Sequence, residues 1–202
     1  MKILTMKFGG TSVADVDRIR AVRDIISDEI RDGWNVVAVV SAMSKETNKL
    51  IDLAKQVGVE NLVDPEYDSL ISTGEDVSSS LLAIALNSIE ISSRSWRGWQ
   101  LPIRTDSFHS NAKIEEIKTN QIINSFKEGV KVAVVSGFQG IEQAGRITTL
   151  GRGGSDTSAV AIAATIDAER CDIYTDVSGI YTTDPRIKRN ASKLKKISFE
   201  EM

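Results

Sequence analysis

The sequence predicts an α/β protein in which a mostly parallel central sheet carries helices on both faces. Strand and helix signals alternate along all 202 residues, a pattern typical of parallel sheets. The segments NVVAVVSAM (35–43) and KVAVVSGFQG (131–140) contain continuous apolar runs rich in valine, as expected for strands buried on both faces. Glycine-rich or small turns follow the strands, at the edge where ligands of such sheets bind.

The first half of the chain supplies two strands and three helical segments. ILTMKFGG (3–10) predicts the first strand, and TSVADVDRIRAVRDIISDEIRDG (11–33) predicts a helix capped by Ser12 and ended by Gly33. KETNKLIDLAKQV (45–57) predicts the next helix, and the segment 67–88 predicts another that is broken around Gly74. The amphipathic face of the first helix has helical spacing and comprises Val16, Ile19, Val22, Ile26 and Ile30.

The second half continues the alternation. GWQLPIRTD (98–106) and AKIEEIKT (112–119) predict short strands, the second in a hairpin, and NQIINSFKEG (120–129) predicts a helix. SDTSAVAIAATID (155–167) predicts a helix, and RCDIYTDVSGIYTTDPR (170–186) predicts a strand and a turn-rich hairpin. SFEEM (198–202) predicts the start of one more helix.

Composition excludes several classes of protein. A net charge of -3 gives no basis for nucleic-acid binding, and no apolar run approaches the roughly 20 residues that span a bilayer. We therefore expect neither nucleic acid nor membrane as a partner, and the cytoplasm as the compartment.

The single cysteine, Cys171, excludes an internal disulfide framework and a cysteine-clustered metal site. Its strand position predicts a buried, inert thiol. We expect Trp96 and Trp99 to serve packing or an interface.

The single histidine narrows the possible chemistry. His109 lies in the polar segment SFHSNA, which predicts a surface position. Without a catalytic histidine no Ser-His-Asp or Cys-His machinery can be assembled. The phosphate-binding patterns GxxxxGK[ST] and GxGxxG after the first strand are also absent, which makes a dinucleotide-binding module a distant alternative.

Two glycine loops offer the physics of anion binding in another form. In KFGGTS (7–12), adjacent glycines let backbone amides approach a ligand, a helix N terminus follows, and Lys7 adds a cation. In GRGGSD (151–156), Arg152 can grip a carboxylate or phosphate with two bonds. Each loop has a plainer interpretation, a tight turn or a solvated arginine. Together at one sheet edge they suit a substrate with several negative charges, such as a polyphosphate plus a carboxylate.

These features favour phosphoryl transfer, which depends mainly on positioning and charge stabilisation. A carboxylate acceptor, with a reference pKa of about 4, is already ionised at neutral pH. Such a reaction therefore does not require a catalytic histidine.

Five motifs in this order resemble the aspartate kinases of the amino acid kinase superfamily: KFGGTS (7–12), SAMSKETN (41–48), STGE (72–75), TTLGRGGSDTSA (148–159) and YTDVSGIYTTDPR (174–186). The resemblance covers essentially the whole chain and implies a three-layer sandwich fold. It implies that ATP, with Mg²⁺, phosphorylates the side-chain carboxylate of L-aspartate to 4-phospho-L-aspartate, the entry to lysine, threonine and methionine biosynthesis.

The resemblance also implies roles for particular residues, and it implies no metal ligand from the protein. Lys7 would act on the transferring phosphoryl group. Asp156 would lie near the phosphates and orient Lys7. The implied aspartate-binding residues are Ser41, Thr47, Glu75, Arg152 and Ser155, with Glu75 on the substrate ammonium and Arg152 on a carboxylate. The implied nucleotide-binding residues are Lys7, Gly9, Gly10, Thr11, Thr175, Asp176, Tyr181 and Arg186, with Asp184 and Pro185 shaping their loop.

Several of these residues have plainer structural interpretations. Ser41 and Thr47 can be caps, Glu75 can be a solvated helix residue, Asp176 and Asp184 can serve turns only, and Tyr181 can be core packing. The basic run Arg186, Lys188, Arg189, Lys193, Lys195 and Lys196 can be a solvated face.

The resemblance implies one catalytic domain over residues 1–202, and the family's pattern continues past Met202 with a further phosphate-binding lysine and regulatory ACT domains. We therefore expect a truncated catalytic domain, incomplete at its C terminus, and a homo-oligomer, namely a dimer. Two alternatives stay open: an inactive fragment that binds ligand or a partner subunit, and a kinase of the same fold for another small amino acid.

Overall fold

The computed structural model describes residues 1–58, 63–176, 188 and 190–192. In chain order its elements are β1 (Ile3–Phe8), α1 (Val16–Arg31), β2 (Asn35–Val40), α2 (Glu46–Val57), α3 (Pro65–Ile71), α4 (Thr73–Asn87), β3 (Ser93–Trp96), β4 (Ile103–Thr105), β5 (Ile114–Ile117), α5 (Asn120–Lys127), β6 (Val132–Ser136), β7 (Gln139–Ile141), β8 (Ile147–Thr149), α6 (Gly154–Thr165) and β9 (Arg170–Tyr174). The predicted 177–186 hairpin and the predicted helix at 198–202 lie outside the described residues.

The main sheet has the strand order β3-β6-β2-β1-β9, and all four pairings are parallel. The predicted parallel sheet is therefore confirmed. Central strands β1, β2 and β6 are almost wholly buried, which explains why their sequences are continuous apolar runs rather than alternating ones.

Each face of this sheet has its own apolar core. Alternate residues of β1, including Leu4 and Met6, pack with Ile26 of α1 and Leu86 of α4. On the other face, Val37 of β2 packs in a second core, whose α5 and α6 members are Ile122, Phe126, Ala159 and Ile162. The result is a sheet between two helical layers, as the sequence predicts.

Two helix boundaries differ from prediction. Asp15, not Ser12, caps α1, because its side chain accepts a hydrogen bond from the Arg18 amide at 2.9 Å. Residues between Gly10 and Asp15 form turns and bends instead of helix. Val16, predicted on the apolar face of this helix, is exposed. The break in the 67–88 segment lies at Ser72, one residue before α4, and Gly74 is inside that helix.

The structure contains a second, smaller sheet, which the sequence did not predict. Its strand order is β5-β4-β7-β8, and the predicted hairpin of two short strands is its antiparallel β4–β5 pair. The segment 131–140, predicted as one strand, divides into β6 and the start of β7. Both β3 and β8 were missed, since each is only three or four residues long and gives little periodic signal.

Three single-residue predictions have clear outcomes. His109 was predicted on the surface, and this is wrong: it is 9% exposed because the buried Asp68 carboxylate binds its ring at 3.0 Å. Cys171 lies in a strand as predicted but is exposed rather than buried, since edge strand β9 is largely uncovered. Trp96 is core packing, as predicted, whereas Trp99 is half exposed.

Among the described residues, none of the helices is both long and apolar enough to cross a bilayer.

Candidate active site

A cleft of about 510 Å³ opens at the carboxyl edge of the main sheet. The turns after β1, β2, β6 and β9 meet there, which is the edge predicted from the sequence. Its lining residues are Lys7, Gly9, Gly10, Thr11, Ser41, Ala42, Met43, Ser44, Lys45, Thr47, Asn48, Glu75, Phe138, Gly151, Arg152, Gly153, Gly154, Ser155, Asp156, Thr175 and Asp176.

Lys7 supplies a cation at the floor of the cleft. Its side chain is 9% exposed, and its Nζ lies 2.6 Å from Oδ1 of Asp156, whose side chain is 48% exposed. A buried ammonium needs such a partner to remain charged. The pair links β1 to the first turn of α6, so the two elements that carry the glycine loops share one charged contact.

The arginine turn (residues 151–154) leads from β8 into α6. Gly151 and Gly153 have left-handed φ angles of 73° and 77°, which residues with a Cβ adopt only with strain. Gly153, and not the nearby Ser155, is the cap of this helix. Ser155 is instead a buried residue of its first turn and contacts Gly137 closely. Arg152 is exposed and lines the cleft.

The first two turns of α4 bind the loop that follows β2. The amide of Ala42 donates to Oε1 of Glu75 at 3.0 Å, and Ser78 Oγ donates to the Ser41 carbonyl at 2.8 Å. Gly74 allows this approach, because a Cβ there would lie 2.8 Å from the Ala42 side chain. The predicted site segments 41–48 and 72–75 are thus one packed unit.

Glu75 is a buried carboxylate with one oxygen in need of a partner. It is 3% exposed, and its Oε2 has no hydrogen-bond partner among the described residues. Burial raises the pKa of Glu75 from its ordinary value of 4.5 to about 8, against the opposing effect of the Ala42 amide. A buried, incompletely satisfied carboxylate on a cleft wall is suited to bind a cation, such as an ammonium group.

Two lining residues that sequence reasoning missed carry unusual backbone conformations. Lys45 has φ 67° and Phe138 has φ 68°, a region that is uncommon for non-glycine residues and clusters at functional sites. Phe138 is fixed by Leu150, whose amide donates to its carbonyl at 2.9 Å, and by Ser158 Oγ, which accepts from its amide at 3.2 Å. Lys45 could have been predicted as a site residue, because it is a cation in the motif SAMSKETN. The sequence GFQG (137–140) gives no indication that Phe138 has a strained backbone.

Every predicted site residue that the structure describes lines the cleft, from Lys7 to Asp176. The predicted nucleotide residues Tyr181 and Arg186, with Asp184 and Pro185, lie outside the described residues. The α1 N terminus, predicted to point at the ligand, contributes no residue to the described lining, because α1 begins six residues after Gly10. No group of three or more metal-ligating His, Cys, Asp or Glu side chains occurs in the part of the chain that the structure describes.

The fold is a parallel sheet between two helical layers, and two glycine loops and a buried lysine lie at one cleft. Such an arrangement is suited to small anionic ligands. Residues 2–202 match the Amino acid kinase family. The chain belongs to this family.

Relatives in sequence are larger proteins. The aspartokinase of Bacillus sp. (strain MGA3) is 52% identical over 202 residues, which is 100% of this chain and 49% of that protein. The chain thus spans about half the length of the curated relatives it matches.

Solved structures agree with this similarity. Aspartate kinase from Synechocystis superposes with a TM-score of 0.78 at 45% identity, over 94% of this chain and 31% of that one. E. coli aspartokinase III, solved in complex with aspartate and ADP, superposes with a TM-score of 0.81 at 29% identity, over 96% of this chain and 53% of that one.

Proposed function

We propose that this chain carries the catalytic site of an aspartate kinase, which transfers the γ-phosphoryl group of ATP to the side-chain carboxylate of L-aspartate. The observation that carries the proposal is that buried Lys7, buried Glu75 and exposed Arg152 line one cleft. Glu75 Oε2 has no hydrogen-bond partner within the described part of the chain. Similarity to proteins named aspartokinase, one of them solved with aspartate and ADP, supports the same choice.

The three charged side chains match an α-amino dicarboxylate and a polyphosphate. Glu75 binds the ammonium group of aspartate, and Arg152 binds a carboxylate with two parallel bonds. Ser41, Thr47 and Ser155 supply further polar contacts at the acceptor end. Lys7, oriented by Asp156, neutralises charge on the phosphoryl group in transfer.

The reaction needs no general base in this arrangement. A carboxylate oxygen of aspartate attacks the γ-phosphorus, the bond to the oxygen that bridges the β- and γ-phosphates breaks, and its electron pair leaves with ADP. Since the acceptor carboxylate is already ionised at neutral pH, no proton has to move. The product is an acyl phosphate, 4-phospho-L-aspartate, and we propose that it enters lysine, threonine and methionine biosynthesis.

The nucleotide binds as its Mg²⁺ complex, so the metal is part of the substrate. Gly9, Gly10, Thr11, Thr175 and Asp176 line its side of the cleft, and Tyr181 and Arg186 are proposed to complete that side. Residues 1–202 are proposed to belong to one catalytic domain. A dimer and a cytoplasmic location remain predictions.

Hydroxylamine trapping tests this function. The purified chain is incubated with MgATP, hydroxylamine and one acid at a time: aspartate, glutamate, N-acetylaspartate or succinate. We expect aspartyl hydroxamate by mass spectrometry and stoichiometric ADP release with aspartate, and much less product with the acids that lack its ammonium group. ADP release with another acid but not with aspartate overturns the substrate, and ligand binding without any product supports the inactive alternative.

A Lys7→Ala preparation from the same host is the matched control. Kinase contamination from the host would give equal activity in both preparations, whereas activity of the chain itself requires its own lysine.

A further inference from the structure

We propose that Asp68, outside the cleft lining, is a positioning residue for the acceptor site. This inference rests on the proposed function. Asp68 lies in α3 and is fully buried, at 0% exposure. A carboxylate in such a place is costly unless its oxygens are hydrogen-bonded. The groups that satisfy it belong to segments that set the position of Arg152.

One set of contacts reaches the strand that leads into the arginine turn. Thr149, the last residue of β8, donates to Asp68 twice: from its amide to Oδ2 at 2.9 Å and from Oγ1 to Oδ1 at 2.7 Å. Arg152 follows only three residues later. The carboxylate therefore fixes the point where the arginine turn begins.

A second set reaches the segment that supports this turn from outside. His109 Nδ1 lies 3.0 Å from Asp68 Oδ2, and the Ser110 amide donates to the same oxygen at 3.0 Å. This segment packs against the arginine turn, because a Cβ on Gly151 would lie 2.7 Å from Asn111 Oδ1. Its movement would displace the turn.

On its own helix, Asp68 is connected to the other charged group of the acceptor site. Its carbonyl accepts from the Ser72 amide at 3.1 Å, and α4, which carries Glu75, begins at the next residue. Asp68 thus connects two parts of the site. One is the helical unit that carries Glu75, and the other is the strand and loop that position Arg152. In the proposed function these two side chains bind different charged groups of the amino acid, so their separation affects which substrate fits.

Thr149 and its neighbour Thr148 give a matched test. Asp68→Ala would leave several buried donors unsatisfied and can prevent folding, so the variants are Thr149→Val, Thr149→Ser and Thr148→Val. Thr148 is equally buried, and its hydroxyl bonds Thr105 Oγ1 at 2.6 Å instead of Asp68. Thr148→Val therefore loses a buried hydroxyl bond on the same strand without touching the Asp68 contacts.

Steady-state kinetics gives the first readout. We expect Thr149→Val to raise the KM for aspartate at least about fivefold and to change the KM for MgATP by less than about twofold, because a hydrogen bond to a charged group is among the stronger ones. Thr149→Ser keeps the hydroxyl and should restore the wild-type KM. Thr148→Val should lower the melting temperature with the aspartate KM unchanged.

Trypsin cleavage gives a second readout that needs no catalysis. Cleavage at the exposed Arg152–Gly153 bond under native conditions should be at least about fivefold faster in Thr149→Val, because the strand before the turn loses its side-chain bond to Asp68, while Thr148→Val should match wild type. If wild type makes no phosphoaspartate, the proposed function fails, and this cleavage still decides the role of Asp68. Equal effects of Thr149→Val and Thr148→Val, or none from Thr149→Val, would overturn the inference.

Discussion

Lys7 Nζ and Asp156 Oδ1 lie 2.6 Å apart, and this contact joins the strand that precedes one glycine loop to the helix that follows the other. The lysine side is buried and the carboxylate side is half exposed. The ammonium is therefore held in one place while the carboxylate stays open to the cleft. Such a fixed cation stabilises charge that develops during transfer without having to reorganise.

Removal of this cation should affect turnover more than binding. We expect Lys7→Ala to lower kcat by about 10²–10³, the usual loss for one preorganised electrostatic contact, with a small change in aspartate affinity. Single-turnover kinetics and calorimetric aspartate titration measure the two effects. Lys49→Ala, an exposed lysine paired with Glu46, is the control. A decrease in kcat of only a few-fold would remove Lys7 from the mechanism.

Arg152 should be sensitive to geometry as well as charge. Arg152→Lys keeps the positive charge but loses the planar pair of donors, so the KM for aspartate should rise while the KM for MgATP changes much less. Arg146→Lys, at an exposed ion pair with Glu66 outside the cleft, controls for a general effect of the substitution. An equal rise in both KM values would indicate that the arginine turn has a general structural role.

The main sheet and the cleft were predictable because their signals are local. Valine runs define β2 and β6, and glycine turns at strand ends define the carboxyl edge where ligands bind. A parallel sheet then brings the glycine loops of Lys7 and Arg152 together from distant parts of the chain. Glu75 lies on a helix, and only the family resemblance predicted that it joins them.

Other features depend on tertiary contacts that leave no local pattern. His109 stands in a polar segment, yet a fully buried carboxylate 41 residues away draws it inside. The short strands β7 and β8 exist because they pair with each other and extend the β4 edge. Asp15 and not Ser12 caps α1, because the residues after Gly10 form turns and the helix begins only at Val16.

The pKa of Glu75 predicts how aspartate affinity depends on pH. At a pKa of about 8, most of the empty sites hold a neutral carboxyl group at pH 6, and ligand binding to the ionised form has to release that proton. The Kd for aspartate should therefore fall by about tenfold per pH unit between pH 6 and 7 and level off above 8. Calorimetry over this range measures it. Glu75→Gln should bind weakly with little pH dependence, and a flat wild-type profile would show that Glu75 is already ionised.

The same group should make unfolding depend on pH. Because burial raises the pKa from 4.5 to about 8, the native state keeps a proton that the unfolded chain releases between these values. Glu75 therefore contributes stability that is complete below about pH 4.5 and is lost as the pH rises through 8. Glu75→Gln has no such proton, so the free energy of unfolding of wild type minus that of Glu75→Gln should decrease from pH 5 to pH 8.

Urea denaturation of the two proteins at several pH values measures this difference, and the subtraction cancels the other titrating groups. Glu46→Gln, at an exposed carboxylate on α2, should leave the difference from wild type nearly constant across the range. Aspartate added at pH 8 should raise the stability of wild type more than that of Glu75→Gln, since only the carboxylate offers its ammonium group a charged partner. A constant difference between wild type and Glu75→Gln would mean that burial does not raise the pKa of Glu75, and the proton release predicted for aspartate binding would then be absent.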